Sequence, residues 1–143
     1  MKKFEISAPL WKRAFAYIID MLIINVFIIA PFNPVFKDIN LTQLKNFYIT
    51  NPNLLLVLFI IAILTIIYFT ILEYKLKQTL GKLIFNISVK SLNNKLKFTQ
   101  VLLRNITKPF ILLLILDIFY MVVSKDQRYT EKLSNTKIIQ EIK

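Results

Sequence analysis

The sequence predicts an all-α membrane protein with two transmembrane helices, a third membrane-embedded helical segment, and a small cytoplasmic β-hairpin that the C-terminal strand can join. Three observations carry this. Of 143 residues, 56% are hydrophobic and one is glycine, a composition outside the usual range of soluble folds. The apolar residues are gathered into runs, and residues 54–72 hold no charge at all. At 1.5 Å per residue that run reaches across a hydrocarbon core of ~30 Å. Between the runs, around residues 84–99, the period shortens to two. The length suits a single domain, 1–143.

Composition also bounds the chemistry. There is no cysteine and no histidine, so thiol catalysis, the common hydrolytic triads, and zinc or haem ligation have no side chains to use. No cofactor or metal is expected, and an enzyme is disfavoured. The net charge of +11 fits lysines and arginines flanking spans on the cytoplasmic side better than a nucleic-acid surface. The lipid bilayer of the cell membrane is the expected partner, and nucleic acid is not.

The first span covers about residues 12–30. Arg13 and Asp20 are seven residues apart, two helical turns, and so share a face. Arg13 sits at the interface and Asp20 lies ~10 Å further in. A charge inside a span costs ~3 kcal/mol or more and usually faces a partner, a cavity or an ion. Pro31 and Pro34 are expected to end the helix, since proline cannot continue the ladder. The loop from Phe32 to Asn53 carries only Lys37 and Lys45 as basic residues, which marks the outer side. Within it, residues 38–47 have weak helical character.

The second span covers about 54–73. Thr65 and Tyr68 share a face and can reach the first helix near Asp20. Glu73 closes the span, with Lys75 and Lys77 as its expected partners. From Tyr74 to Lys108 there are eight basic residues and no acid, which places the segment in the cytoplasm. Ile87, Val89 and Ser91 alternate with polar residues. Asn93-Asn94 can take positive φ, and Leu96 and Phe98 alternate again, a hairpin signature. A lone hairpin is marginal, so Thr136–Gln140 is expected to join it and to hold the C-terminus on the same cytoplasmic side as the N-terminus.

Residues 99–108 read as an amphipathic helix bearing Arg104 and Lys108. After Pro109 an apolar run of about 14 residues, with Asp117 inside it, fills the segment 109–124. That length lies between a tilted span and a re-entrant helix. The tail carries five basic residues, which favours an inside tail and a segment that does not fully cross.

Taken as a string, Arg13-Ala14-Phe15-Ala16-Tyr17-Ile18-Ile19-Asp20 resembles the first helix of the RDD family of small membrane proteins, named for one arginine and two aspartates. Gln78 to Val89, with Gly81 on the family's glycine, resembles the block after the second helix. Leu102-Leu103-Arg104-Asn105 with Lys108 is similar to the third block, and Lys132 to Ile139 to the last. The departure is at the second aspartate, where the family's His-Asp pair is Thr130-Glu131 here and Asp126 lies five residues upstream. Asn86 and Asn135 stand where the family has glycines, and asparagine tolerates left-handed backbone better than most residues. The resemblance implies a membrane fold and, as the family's suggested role, movement of ions or small solutes.

Two readings of the charges follow. In the first, Asp20 is an intramembrane acid that binds a cation or proton. Arg13 holds Glu131 or Asp126 at the cytoplasmic mouth, Lys82 and Arg104 lie nearby, and a homo-oligomer completes the pathway for a small ion or solute. In the second, Asp20 is neutralised by Arg104, Lys108 or a hydroxyl, and the charged pairs hold the bundle together. Asp117 is expected near an interface, and Glu73 at the inner end of its span.

Overall fold

The computed structural model describes residues 4–37, 52–93, 95–124 and 127–142. Strand β1 (Phe4–Ser7) leads into helix α1 (Leu10–Ile24), whose buried residues Arg13, Ala16, Asp20 and Ile24 fall three and four apart on one face. The other faces present large apolar side chains outward, among them Phe15, Ile18 and Leu22. That distribution suits a helix surrounded by lipid.

The prolines do not end this helix, contrary to expectation. The ladder widens to a π-helical turn over Asn25–Ile29, tightens to a 3-10 turn over Ala30–Phe32, and resumes in the short α2 (Asn33–Phe36). Pro31 and Pro34 each fall at the second position of a new segment, where an N–H has no intrahelical partner to lose. The continuous helical stretch Leu10–Phe36 is long and apolar enough to cross a membrane, as is Asn53–Leu76 within α3 (Pro52–Leu76). The weak helix expected at 38–47 lies outside the described residues.

Lys77, in left-handed backbone at φ 59°, follows the last turn of α3, and helix α4 (Leu80–Ile84) comes next. Asn86 at φ 52° turns the chain into strand β2 (Ile87–Ser91). The expected hairpin does not form. Its second limb, Leu96 to Phe98, runs instead into helix α5 (Phe98–Asn105), whose Gln100 side chain accepts the Lys97 N–H at 3.0 Å. A polar cap at the helix start outweighs two alternating apolar residues, because the free N–H groups there need acceptors.

Strand β3 (Thr136–Ile142) takes the place of that limb, and the sheet order is β1-β3-β2, all antiparallel. The joining of β2 by the C-terminal strand is thus as expected, while β1 is a strand that alternation in the sequence did not reveal. Because β1 and β3 pair, the first and last strands lie in one sheet with β2. Ile87 and Ile138 pack with Ala8 and Ala16, fixing the sheet over the first turns of α1.

Between α5 and the tail, α6 (Ile111–Ser124) buries only Leu114, Asp117 and Met121 and exposes most of its apolar surface. Its start shares a cavity wall with Ile24, Ile29 and Leu58, and its last turn lies beside Pro9 and Arg13. Helix α7 (Tyr129–Leu133) and Asn135, at φ 50°, then lead into β3.

A candidate charged site between the spans and the sheet

Five helices (α1, α3, α4, α5 and α7), with Lys108 and Arg128 beside helix ends, deliver charge to one network. Glu73, near the end of α3, is fully buried. Lys75 and Lys77, its expected partners, are exposed, and Glu73 is held from elsewhere. Its Oε1 accepts from Lys82 Nζ and, at 3.2 Å, from Lys108 Nζ. Its Oε2 accepts from Asn105 Nδ2 at 3.0 Å and lies 3.0 Å from Arg104 Nε. The residue points along α3's inner face toward α4 and α5, away from the solvent-facing lysines that follow it in sequence.

Glu131 is the second centre, also fully buried. Arg13 NH1 lies 3.3 Å from its Oε2. Arg128 donates to Oε1 from Nε at 3.1 Å and NH2 at 3.0 Å, and Arg104 NH2 lies 3.5 Å from the same oxygen. Arg104 therefore spans both centres. Burial raises the Glu131 carboxyl, but the guanidiniums of Arg128, Arg104 and Arg13 more than reverse this and hold it at about 2. On the other centre burial lowers the Lys82 ammonium to about 8 in spite of Glu73, and burial pulls Lys108 well below the ordinary lysine range.

Asp20 belongs to neither centre. Its Oδ1 accepts from the Gly81 N–H at 2.9 Å and Tyr68 OH at 3.2 Å, and its Oδ2 accepts from the Thr79 hydroxyl. Of the partners expected for it, the hydroxyl is the one found. Thr79 caps α4 and Gly81 is its second residue, so the carboxylate sits at the helix start, where free N–H groups favour it. The glycine is required by the crossing. A Cβ there would stand 2.0 Å from the Ala16 carbonyl oxygen of α1.

Asp117 does the same for α7, accepting the Thr130 N–H at 2.9 Å and its hydroxyl at 2.7 Å, with Arg128 NH1 3.9 Å away. Asp117 is buried by that contact. Asp126 lies outside the described residues. Residues 7–132 match the RDD family, a span that contains both centres and both aspartates. The chain belongs to the RDD family. No curated protein and no solved structure gives a match.

Within this RDD protein the structure brings Arg13, Glu131, Arg104, Glu73 and Lys82 into one network, and sets Asp20 and Asp117 on its flanks. Sequence reasoning passed over Arg128 and Thr79. The signals were there: an arginine three residues before an acid, and a threonine just ahead of a short helix, both at cap spacing. Beside the network lies a cavity of about 200 Å³. Arg13, Lys82, Lys108 and Arg128 line it, with Tyr17 and Asp20 between α1 and α6.

Proposed function

We propose that this protein is a multi-pass module of the cell membrane, with both ends cytoplasmic, whose buried charges lock the sheet-bearing layer onto the spans. The observation that carries this reading is the state of Asp20. Both of its oxygens are occupied by three neutral donors, and one donor is the backbone N–H of Gly81. A carboxylate that couples to an ion must exchange its partners, and this one cannot release Gly81 without moving α4 off α1. Glu73 and Glu131 are likewise surrounded by cations. Buried pairs of this kind are retained in some systems for a specific arrangement rather than for net stability.

The eight basic residues between Tyr74 and Lys108 support a cytoplasmic assignment for the sheet side. The course of α6, which starts beside Ile24 and Leu58 and ends beside Pro9, supports a segment that enters the membrane and returns.

A second reading, movement of a small ion or solute through an oligomer, is favoured by the cavity beside Asp20. Reconstitution into liposomes separates the two. The lock predicts no cation or proton flux for the native chain and a lower unfolding midpoint for Asp20→Asn. Flux in the native chain that disappears in a folded Asp20→Asn protein would overturn it.

A further inference from the structure

The cavity is lined unevenly by charge. Arg13, Lys82, Lys108 and Arg128 reach its wall, whereas Glu73 and Glu131, the acids they pair with, do not. The exposures agree: the four cations retain 9%, 5%, 3% and 8% of their surface, and the two glutamates retain none. The carboxylates are sealed behind the cations. Asp20 also reaches the wall, but its oxygens already hold Tyr68, Thr79 and Gly81. An anion in the cavity would therefore meet basic side chains on its wall, with Glu73 and Glu131 behind them. The Lys108 ammonium, 3.4 Å from the Phe69 ring centroid, leans on an aromatic face as well as on Glu73.

The remaining wall is apolar. Its inner part is made by the buried Phe69, Leu114, Met121 and Ile138, and its outer part by Ala14 and Ile18 of α1 and Ile118 of α6, which are exposed. A freely soluble anion would find an apolar approach there. An amphiphile would place its head against the cations and pass its chain outward between α1 and α6.

We infer that this cavity binds the phosphate headgroup of an anionic membrane lipid, with the acyl chains leaving between α1 and α6. Basic pockets between membrane helices on the cytoplasmic side suit such headgroups, and guanidinium groups match phosphate oxygens in geometry. At about 200 Å³ the space suits a headgroup rather than a whole lipid. This goes beyond the lock, which is read from unfolding in neutral lipid and stands or falls separately.

The test uses the full chain in phosphatidylcholine nanodiscs, with the unfolding midpoint followed as phosphatidylglycerol or inorganic phosphate is added. Phosphatidylglycerol is expected to raise the midpoint saturably, and inorganic phosphate to leave it unchanged. Ala14→Phe fills the mouth of the cavity from an exposed position and leaves every charge in place. It is expected to unfold normally in phosphatidylcholine and to need about tenfold more phosphatidylglycerol for the same effect, the loss of one good headgroup contact. Native mass spectrometry of the unaltered protein adds a measurement independent of any variant, and a single retained phosphate-headed lipid is expected. An equal phosphatidylglycerol response in Ala14→Phe would reduce the effect to general surface attraction and overturn the site. Equal stabilisation by inorganic phosphate, or no retained lipid, would overturn the lipid assignment.

Discussion

The segments 79–91 and 128–142 share a plan that begins with a five-residue helix whose second N–H is held by an aspartate from a longer apolar helix. A two-residue turn ending on a left-handed asparagine follows, then a strand of the same sheet. Asp20 serves α4 and Asp117 serves α7. The third residue of each helix then differs in sign. In α4 it is Lys82, bound to Glu73; in α7 it is Glu131, bound to Arg13, Arg104 and Arg128. Arg104 joins the two halves. One local design thus accepts either charge at its inward position, provided the opposite charge converges on it from other elements. The backbone plan places the group, and tertiary neighbours decide its sign.

Removing a centre should give the largest effect. Glu131→Ala leaves Arg13, Arg104 and Arg128 together without their shared acceptor, and Glu73→Ala does the same to Lys82, Lys108 and Arg104. Breaking a buried pair by deleting one partner costs about 3–5 kcal/mol. Either variant is expected to lower the unfolding midpoint in micelles strongly. If the halves are linked through Arg104, the double variant should cost less than the two single costs added together. Strict additivity would separate the centres and break the comparison.

Acid should weaken the Glu131 centre. The Glu131 carboxyl is held at about 2 against an ordinary 4.5. A depressed acid stabilises the fold above its unfolded value, and that stability is lost as pH falls from 4.5 toward 2. The shift corresponds to ~3 kcal/mol. Lys82 has the opposite sense. Its ammonium is lowered to about 8 from 10.5, so its contribution to stability rises as pH climbs between those values. Unfolding midpoints from pH 2 to 11 check both, and Glu131→Gln should make the acid limb shallower while leaving the alkaline limb unchanged.

The two helix starts should then differ in steric tolerance. Gly81→Ala forces a methyl group to 2.0 Å from the Ala16 carbonyl, so α4 must lift from α1 and Asp20 must stretch its bond to the amide. A cost of about 1–3 kcal/mol is expected for overpacking of this kind. Thr130→Ala loses one hydroxyl bond to Asp117 and keeps the amide, which should cost about 1 kcal/mol. Thermal unfolding of the pair orders them, and equal costs would show that the α1–α4 crossing relaxes freely.

What the sequence made legible follows from how local each cause is. The charge-free run at 54–72 needs only the thickness of a bilayer, so the second span was plain. That Arg13 faces Glu131 or Asp126 rests on the family resemblance, and the choice of Glu131 was not legible, since the contact joins residues 118 apart that no local pattern links. The hairpin was misread because alternation at Leu96 and Phe98 is compatible with a helix start, and Gln100 supplies the cap. Strand β1 was missed because four residues at the chain's beginning carry too little alternation to stand out. Asp20's partners were half legible. Tyr68 shares its helix face with Thr65, but the Gly81 N–H is a backbone group whose availability depends on where α4 starts.

The smallest effects belong to the turns. Asn86 and Asn135 hold φ of 52° and 50°, where a side chain with a Cβ costs about 1–2 kcal/mol and glycine costs nothing sterically. Asparagine already tolerates this region, so Asn→Gly at either site should change stability by less than about 0.5 kcal/mol, the lost strain offset by a freer unfolded chain. Asn→Val should cost about 1–2 kcal/mol at both. The consequences differ by strand. Asn86 precedes β2, which pairs on one side only, whereas Asn135 precedes β3, which pairs with β1 and β2, and its carbonyl accepts the Leu92 N–H at 2.9 Å. A shift at Asn135 therefore disturbs two strand pairings and the end of β2, while one at Asn86 disturbs a single pairing. Hydrogen exchange should show faster amides across all three strands in Asn135→Val, and in β2 with its β3 partners alone in Asn86→Val.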